Sequence, residues 1–379
     1  MASPYLDNPV DIGAQIIQRA LRRERVIRDK QNPLAFSDEN LYEKYRFSAE
    51  GMLYLCRLLE PHIKNPTRRS HATTVPQMIC IALRFFAGGT YLYEVGDAEK
   101  LSKNTVCRTI RRVVIALQKY INTFVVFPGH LPTVAIKEGF SNIAGFPRVI
   151  GAIDCTHIPI STPIKEIEAN YLNRKSTHSI NVQVGILHLT NKHLLSLYYK
   201  TWDSPAVCSL QITCDHQCMV TSLDARWPGS MHDNHIFEKS SLCQRFQEGL
   251  FDGLLVGDET YACQSFLVTP YPDPETKPQH DFNMALNQTR LKIDTTLAIL
   301  KARFNCLRDL RVSPERASQI VGACVVLHNI ATIRKERVPN EYDLPPDDVD
   351  PITLDHPAGE AVRDAITAEY FTEHSIKEN

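Results

Sequence analysis

The chain has 379 residues, of which 43% are hydrophobic and 22% charged, and its net charge is −1. This balance is typical of a globular protein, and the length favours two or three domains. No apolar run is long enough to span a membrane, and no signal peptide opens the chain, so a membrane protein is excluded. The eleven cysteines lack the spacing of a disulfide framework, so we expect reduced thiols in a cytosolic or nuclear protein.

The charges are unevenly distributed along the chain. Residues 1–120 hold 19 Lys and Arg against 12 Asp and Glu, a net charge of +7, whereas residues 338–379 hold 2 against 11, a net charge of −9. A basic front and an acidic tail suit a protein whose amino-terminal part meets a polyanion. Chance unevenness on solvated surfaces is the alternative.

Residues 1–36 form a basic extension. Apolar residues at helical spacing predict an amphipathic helix over residues 11–30, and it ends in the basic run Arg22–Arg28. Such a run is either a nuclear import signal or a solvated helix, and the sequence favours neither.

A helical domain is predicted over residues 37–138. Thr74 and Gln77 form a capping box before an apolar helix, and Gly88-Gly89 ends that helix. A short helix from Tyr91 to about Lys100 follows.

Ser102 is the predicted N-cap of the next, longer helix, which runs to Tyr120. Its apolar stripe is Val106, Ile110, Val113 and Leu117, and its basic side chains Lys103, Arg108, Arg111 and Arg112 lie off that stripe. The pair of helices fits a helix-turn-helix unit whose second helix meets DNA. A helical bundle with a solvated arginine face is the alternative, and this stretch alone favours it.

A second domain, of α/β class, is predicted over residues 139–337. Val149 to Ile158 read as a buried strand that carries one carboxylate, Asp154. Burying that carboxylate costs at least several kcal/mol unless a partner compensates its charge. A divalent metal and a buried Arg or Lys are equally good partners at this point.

Further strands are predicted at residues 179–184, 219–225 and 254–256. The last of them leads into Asp258, in the same form in which Ile150 to Ile153 lead into Asp154. A helix is predicted over residues 282–304, with Asp294 and Lys301 on one side that looks into a cleft, and a final helix over residues 317–332. The acidic, proline-containing tail 338–379 is predicted to be disordered.

Four acids are candidates for one site: Asp154, Asp233, Asp258 and Asp294. Ligands of α/β sheets bind at strand ends, and two magnesium ions held by carboxylates are the usual device for phosphodiester cleavage. Lys301 and Arg303 would suit a nearby phosphate. In a chain with 43 acids, spacing alone makes this a weak prediction.

The chain resembles Harbinger-type transposases and the nucleases derived from them, within the DDE endonuclease superfamily. Several motifs stand in the same order over about residues 37–337, which makes the resemblance specific. They are Gly96 to Ala98, Ser102 to Arg108, Ala152 to Ile158, Tyr171 to Lys175, Trp227 to Asp233, Leu255 to Asp258, Leu300 to Phe304 and Val325 to Ile330.

The resemblance implies an RNase H-like mixed sheet flanked by helices, behind an all-α domain that contains a helix-turn-helix. It implies that Asp154, Asp258 and Asp294 are the catalytic acids, which hold Mg²⁺ or Mn²⁺, with Asp233 as an accessory metal ligand. It also implies a nuclear protein, with some in the cytoplasm, that acts on double-stranded DNA. A Myb-like partner for DNA binding and nuclear import, and a homo-oligomer, are further expectations, and no membrane is involved.

The chain departs from the family pattern at three places. Asp294 stands where the family has Glu, although its spacing of 36 residues from Asp258 fits. Glu259-Thr260 precedes Tyr261, where the family has a small residue or Gly. About 28 residues intervene where the family runs from one strand into the next, and we place this insertion at 185–213. It is either a tolerated hairpin insertion or, as we favour, a translated intron or misassembled gene model.

The sequence therefore predicts a divalent-metal-dependent DNA endonuclease that performs hydrolysis and, if it is still a transposase, strand transfer. The alternative is a domesticated DNA-binding or scaffold protein whose nuclease has lapsed. A metal hydrolase of small phosphoesters is a third, weaker hypothesis.

Overall fold

The computed structural model describes residues 37–65, 72–160, 179–183, 210–225, 227–228, 231–339 and 355–372. Within these residues, the part before the first strand is helical. The helices of this part are α1 (Asp38–Tyr45), α2 (Ala49–Ile63), α3 (Val75–Gly88), α4 (Leu92–Glu99), α5 (Lys103–Gln118), α6 (Ile121–Phe124) and α7 (Thr133–Ala144). The predicted capping box is present, since Thr74 and Gln77 bond each other's backbone N–H groups. The predicted stop is present as well, because Gly89 adopts a left-handed conformation at φ 64°.

A mixed sheet forms the second half. Its strands are β1 (Val149–Pro159), β2 (Ser179–Gln183), β3 (Leu210–Cys214), β4 (Val220–Ala225), β5 (Trp227–Pro228), β6 (Leu254–Val256) and β7 (Leu267–Val268). Five of them run in the order β4-β3-β1-β6-β7, where β3 is antiparallel to both β1 and β4, and β6 and β7 are parallel to β1. This five-stranded mixed sheet flanked by helices is consistent with the predicted RNase H-like class.

Strands β2 and β3 together serve as one antiparallel partner of β1. The carboxyl-terminal half of β1 pairs with β2, with His157 opposite Asn181, and the other half pairs with β3. If the register of β2 continued, Thr156 would face Val182, but it faces Leu210, which stands 28 positions later (210 minus 182). Val182 itself lies beside Leu210. The antiparallel partner of β1 is therefore interrupted by a segment of 28 residues between Asn181 and Leu210.

This register corrects the boundary of the predicted insertion, 185–213. Its last four residues, Leu210 to Thr213, belong to β3 and pair with β1 in the middle of the sheet. Residues 184–209 lie outside the described part of the chain. Strand β3 was not predicted because its five residues, although polar and apolar side chains alternate along them, come directly after a stretch without a clear period.

The helices that follow the sheet strands complete the core. They are α8 (Asp233–Glu238), α9 (Ser241–Gln247), α10 (Lys277–Arg303), a 3₁₀ turn (Asn305–Arg308), α11 (Pro314–Ile333) and α12 (Pro357–Ile366), which a π-helical turn extends to Phe371. Helix α10 packs on β1 and α11 on β4. Helix α10 begins before the predicted residue 282 because Thr276 caps it and Pro278 occupies its first turn.

Helix α11 joins the helical half to the sheet. The amide of Asn329 bonds both backbone groups of Val220 in β4 and the carbonyl of Phe124 in α6. On another side of α11, Gln118 of α5 donates to the carbonyl of Gln319 at 2.6 Å. Residues 36–379 accordingly form one compact unit.

The predicted domain boundary between residues 138 and 139 is wrong, because it falls inside α7. The predicted second domain begins at Gly139, but an isolated glycine is tolerated within a helix and need not end it. Its role is packing: a Cβ at Gly139 would lie 2.4 Å from the ring of His216.

The acidic tail is ordered in part, contrary to prediction. Asp355 accepts a bond from the backbone N–H of Cys263 at 2.8 Å and pairs with Arg363 at 2.9 Å. Arg363 also donates to the carbonyl of Pro270, beside β7. Composition pointed to disorder, but two charged residues of the tail compensate each other at the edge of the sheet.

Two further predictions concern the amino-terminal helix and the helix-turn-helix. The helix predicted over residues 11–30 lies outside the described residues. Helices α4 and α5 are joined by Lys100 to Ser102, as predicted, and Ser102 caps α5 by accepting from Thr105 at 3.3 Å; their role as a DNA-binding helix-turn-helix stays a prediction. Within the described residues, no helix has the length and apolar character of a membrane span.

Candidate active site

Asp154 lies in the middle of β1, next to the centre of the sheet. Its side chain is 16% exposed, and one carboxylate oxygen accepts the backbone N–H of Cys155 at 2.8 Å. Side chains alternate along a strand, so Asp154 and Thr156 share one face of β1. Helix α10 covers that face, since Lys301 of α10 donates to the hydroxyl of Thr156 at 2.6 Å.

Asp258 follows β6, the parallel neighbour of β1, and points to the same place. Thr260 holds its carboxylate: the hydroxyl of Thr260 donates to Asp258 Oδ1 at 2.5 Å, and the backbone N–H of Thr260 donates to the same oxygen at 3.1 Å. The threonine that departs from the family pattern therefore orients the second acid.

Asp294 lies on α10, and Arg290 lies one turn before it. The Nη1 atom of Arg290 is 3.3 Å from Asp294 Oδ1, 3.8 Å from Asp154 Oδ2 and 3.9 Å from Asp258 Oδ2. Three carboxylates from a strand, a loop and a helix thus converge on one cationic nitrogen. The predicted convergence of these three acids is present in the geometry.

The electrostatics follow from crowding of like charges in a mostly buried place. Burial first, and then the charge of Asp258, raise the pKa of Asp154 well above its usual range, although Arg290 opposes the shift. Burial also raises the pKa of Asp294, whose carboxyl hydrogen-bonds that of Asp154. Burial disfavours a charged Arg290, but the three carboxylates outweigh it and raise the pKa of the guanidinium.

Asp233 lies at the first position of α8 and is 8% exposed. Its carboxyl hydrogen-bonds the thiol of Cys155, which also accepts from Tyr261 at 3.3 Å. Because Cys155 follows Asp154 in the strand, this contact lies on the other face of β1. The charge of Asp233 still raises the pKa of Asp154, though less than Asp258 or Asp294 does. Its role as an accessory metal ligand stays a prediction.

Lys301 and Arg303 have different surroundings. Lys301 reaches Thr156, two residues from Asp154, as its predicted position on α10 requires. Arg303 is only 1% exposed and donates to the carbonyl of Arg337 at 3.5 Å. Burial lowers the pKa of Arg303 to about 10. The prediction that Arg303 contacts DNA is therefore wrong for this conformation, because its guanidinium faces the interior.

The basic side chains of α5 lie away from the three acids, in the helical half. Lys103, Arg108 and Arg111 are exposed, and Arg112 is half-buried and donates to Asn65 of the segment after α2. The structure thus leaves them on the surface, as the stripe pattern predicted.

The three converging carboxylates fit a hard divalent cation. They offer only oxygen donors, which Mg²⁺ prefers, and all three lie within 4 Å of one point, the position of Arg290 Nη1. In the described part of the chain, no group of three or more His, Cys, Asp or Glu side chains is arranged as a metal site, and Arg290 Nη1 lies between the three carboxylates. Asp154, Asp258 and Asp294 would hold the ion.

Sequence reasoning missed Arg290 and Thr260. Arg290 precedes Asp294 by four residues on a predicted helix, and such a spacing brings the two side chains together. That signal was available, whereas the contact of Arg290 with β1 and the β6 loop required the tertiary structure. Thr260, two residues after Asp258, has the spacing of a local hydroxyl-to-carboxylate bond.

Comparison with known proteins agrees with this arrangement. The chain is 33% identical to "Putative nuclease HARBI1" of Mus musculus over 325 residues, which span 83% of this chain and 85% of the mouse protein. It is 32% identical to the Homo sapiens protein of the same name over 301 residues, 78% of each chain. The chain belongs to the HARBI1 family of Harbinger transposase-derived nucleases.

Two further matches bear on the HARBI1 relationship. The "DDE superfamily endonuclease" family matches residues 189–329, which include Asp233, Asp258 and Asp294. "Protein ALP1-like" of Arabidopsis thaliana is 23% identical over 332 residues, 81% of this chain and 74% of the plant protein. No solved structure matches the chain. Membership in the HARBI1 family gives the chain a nuclease-type function, and DDE endonucleases generally use divalent metals.

Proposed function

We propose that this HARBI1 relative is a divalent-metal-dependent endonuclease that hydrolyses phosphodiester bonds of double-stranded DNA. One observation carries the proposal: Asp154, Asp258 and Asp294 come from three separate elements and meet within 4 Å of a single atom. Like charges so close together repel one another unless a cation lies among them. Arg290 is that cation here, and a divalent metal would take its place in the working enzyme.

Each residue has a part that follows from its contacts. Asp154 is fixed by the central strand and by the N–H of Cys155, and Thr260 fixes the orientation of Asp258. Asp294 comes from the helix that covers the site and is the most exposed of the three, at 35%. Together the three acids would hold Mg²⁺ or Mn²⁺, which would supply activation of a water nucleophile and stabilisation of the leaving oxygen. Lys301, held beside β1 by Thr156, supplies positive charge for the phosphate.

A nicking assay tests the proposal. Purified protein with a supercoiled plasmid and Mg²⁺ or Mn²⁺ is expected to produce nicked and linear DNA, and EDTA is expected to stop it. Asp154→Asn keeps the shape of the side chain but removes its charge, so it should abolish nicking; a variant that still nicks would refute the assignment. Lys239→Gln, on the exposed surface after α8, serves as the control.

A second function is supported by Asp294 and Arg290. An aspartate replaces the family glutamate, which shortens the reach of the third ligand by roughly 1.5 Å, one carbon–carbon bond, while Arg290 occupies the focus of the site. Both features favour a DNA-binding or scaffold protein whose nuclease has lapsed. Asp294→Glu separates the two functions: restored or increased nicking supports lapse through this residue, whereas unchanged wild-type nicking supports the active enzyme.

Partners and location belong to the same proposal. We expect a nuclear protein, with some in the cytoplasm, that meets DNA and works with a Myb-like partner for DNA binding and nuclear import. If the enzyme retains transposition, a DNA 3′-hydroxyl replaces water in the second step. Imaging of a fluorescent fusion with and without a co-expressed Myb-like protein tests the location, and exclusion from the nucleus in both cases would contradict it.

A further inference from the structure

A basic cavity opens between α2 and α5, in the helical half of the molecule. Its volume is about 240 Å³. Five of the residues that line it are basic: His62 of α2, Arg108, Arg111 and Arg112 of α5, and Lys119 just after α5. Among the described residues, no carboxylate lines it.

The positive charge of this cleft is not compensated by acids. In the part of the chain that the structure describes, Arg108, Arg111, Arg112 and Lys119 form no ion pair. Their contacts are with uncharged acceptors instead: Arg112 donates to the Asn65 amide oxygen at 2.5 Å, and Arg108 donates to the Asn104 carbonyl at 3.3 Å. Four neighbouring cations repel one another, so binding of an anion in the cleft would stabilise this arrangement.

The cleft has a firm frame. The hydroxyl of Tyr120 donates to the carbonyl of Leu58 at 2.9 Å, and its ring packs edge-on against His62, with centroids 5.7 Å apart. Lys119 lies within hydrogen-bond distance of His62 Nδ1, at 3.3 Å. The cationic groups are therefore held on a prepared surface rather than on a loose loop.

The extent of the cationic surface indicates a polyanion rather than a single phosphate. From Arg108 to Lys119 is eleven residues, which is about 16 Å along a helix axis. A DNA strand carries one phosphate per roughly 3.4 Å of its axis, so a surface of this length faces several phosphates in succession.

The position of the basic residues on α5 separates two kinds of DNA contact. In a helix-turn-helix, base edges are read from the amino-terminal residues of the second helix. In α5 the cleft residues start at the sixth position, Arg108, and continue past the end of the helix. Lys103, at the first position, does not line the cleft.

We propose that the α2–α5 cleft binds the sugar-phosphate backbone of double-stranded DNA, through Arg108, Arg111 and Lys119 supported by Arg112 and His62, and does so independently of base sequence. The choice of DNA as the polyanion rests on the proposed function. The binding itself needs neither metal nor catalysis. The cleft thus holds the duplex while the three acids, elsewhere on the molecule, act on it.

The test measures DNA binding without cleavage. Full-length Asp154→Asn protein in EDTA is titrated against two fluorescent duplexes of unrelated sequence, at salt concentrations from about 50 to about 200 mM. The triple variant Arg108→Gln, Arg111→Gln, Lys119→Gln is expected to weaken binding to both duplexes alike and to reduce the slope of log K against log salt by about 2–3, roughly 0.9 for each lost phosphate contact. The control carries Lys239→Gln, Lys277→Gln and Lys335→Gln, three exposed cations outside the cleft, and should keep the slope.

A further variant, with Arg108→Lys and Arg111→Lys, keeps the charge and separates charge loss from misfolding: it should retain most of the slope. An unchanged slope in the glutamine variant, or an equal loss in the control, overturns the proposal. So does a loss confined to one duplex, which indicates base reading. Calorimetry with inorganic phosphate supplies the last arm: tight phosphate binding in the cleft with an unchanged DNA slope identifies a single-anion site. Because cleavage is never measured, a nuclease that proves inactive leaves these outcomes unaffected.

Discussion

Arg290→Gln is expected to destabilise the metal-free protein and to make it respond more strongly to metal. Glutamine is uncharged, so Asp154, Asp258 and Asp294 lose the cation that lies 3.3–3.9 Å from them. Removal of one partner from a fully buried ion pair costs about 3–5 kcal/mol, and an exposed pair contributes only about 0–1 kcal/mol. The four side chains are 16–35% exposed, which places the expected loss in EDTA at about 1–3 kcal/mol.

The assay is thermal unfolding in EDTA and in Mn²⁺. The loss in EDTA corresponds to a fall in Tm of roughly 1–2 °C per kcal/mol, because the unfolding entropy of about 2.1 cal/mol/K per residue makes the shift small for a long chain. In wild-type protein a metal ion must displace the guanidinium, whereas in the variant it meets the carboxylates directly. Mn²⁺ should therefore raise the Tm of the variant more than that of the wild type.

Lys292→Gln is the matched control, because Lys292 is also a cation on α10 but lies two residues away, on a different side of the helix. It should behave as wild type in both solutions. Equal Tm values for Arg290→Gln and wild type in EDTA, or an equal metal-induced rise in both, would refute the electrostatic reasoning.

Three other predictions concern the scaffold. Gly51→Ala should cost about 1–3 kcal/mol in urea unfolding, because the new Cβ would lie 2.0 Å from Glu336 Oε1, and that carboxylate caps α2 by accepting from Ser48. Burial lowers the pKa of His328 to about 3. Below about pH 6.5 the imidazole of His328 therefore binds a proton in the unfolded chain but stays neutral in the folded chain. Stability should thus be full above pH 6.5 and fall with pH, by about 2 kcal/mol at pH 5, and His328→Gln should remove this part of the loss. Deletion of residues 182–209 joins Asn181 to Leu210 in register, so the protein should stay folded.

Each of these has a control or a contradicting outcome. Gly88→Ala, whose Cβ would meet nothing closer than 3.5 Å, should be near neutral, and a similar loss there would discredit the steric argument for Gly51. An unchanged difference between pH 7 and pH 5 in His328→Gln would assign the acid sensitivity to other groups. Deletion of 185–213 removes 29 residues, not 28, and shifts the partner of β1 by one residue, which turns its side chains to the opposite faces; if it is as stable as the 28-residue deletion, the register argument fails.

Local signals were enough for much of the fold. The capping box at Thr74, the stop at Gly89 and the Ser102 cap depend on neighbours within a few residues, and all three are present. The strand around Asp154 could be predicted too, because a short run of apolar and β-branched residues indicates a buried strand.

Tertiary contacts decided what the sequence could not. Arg303 occupies a helical position that looks basic and accessible, yet the residues around α1 and Glu336 bury it. The strand β3 is only five residues long and follows a stretch without a clear period. The acidic tail is ordered by contacts that its composition does not reveal, among them the pair of Asp355 with Arg363. The three acids of the candidate site could be named from the sequence, whereas the cation at their focus emerged only from the packing of α10 on β1.

Helix α11 has a consequence for how the molecule can be divided. It is buried along most of its length from Ala317 to Ala331, because α5 and α6 cover one part of its surface and β4 another. A fragment ending near residue 138 would leave α5 without that partner, and a fragment starting there would leave α11 with an apolar side in water. We therefore expect the helical half and the carboxylate-bearing half to unfold in one cooperative transition, and neither to be exchangeable between relatives as a separate module.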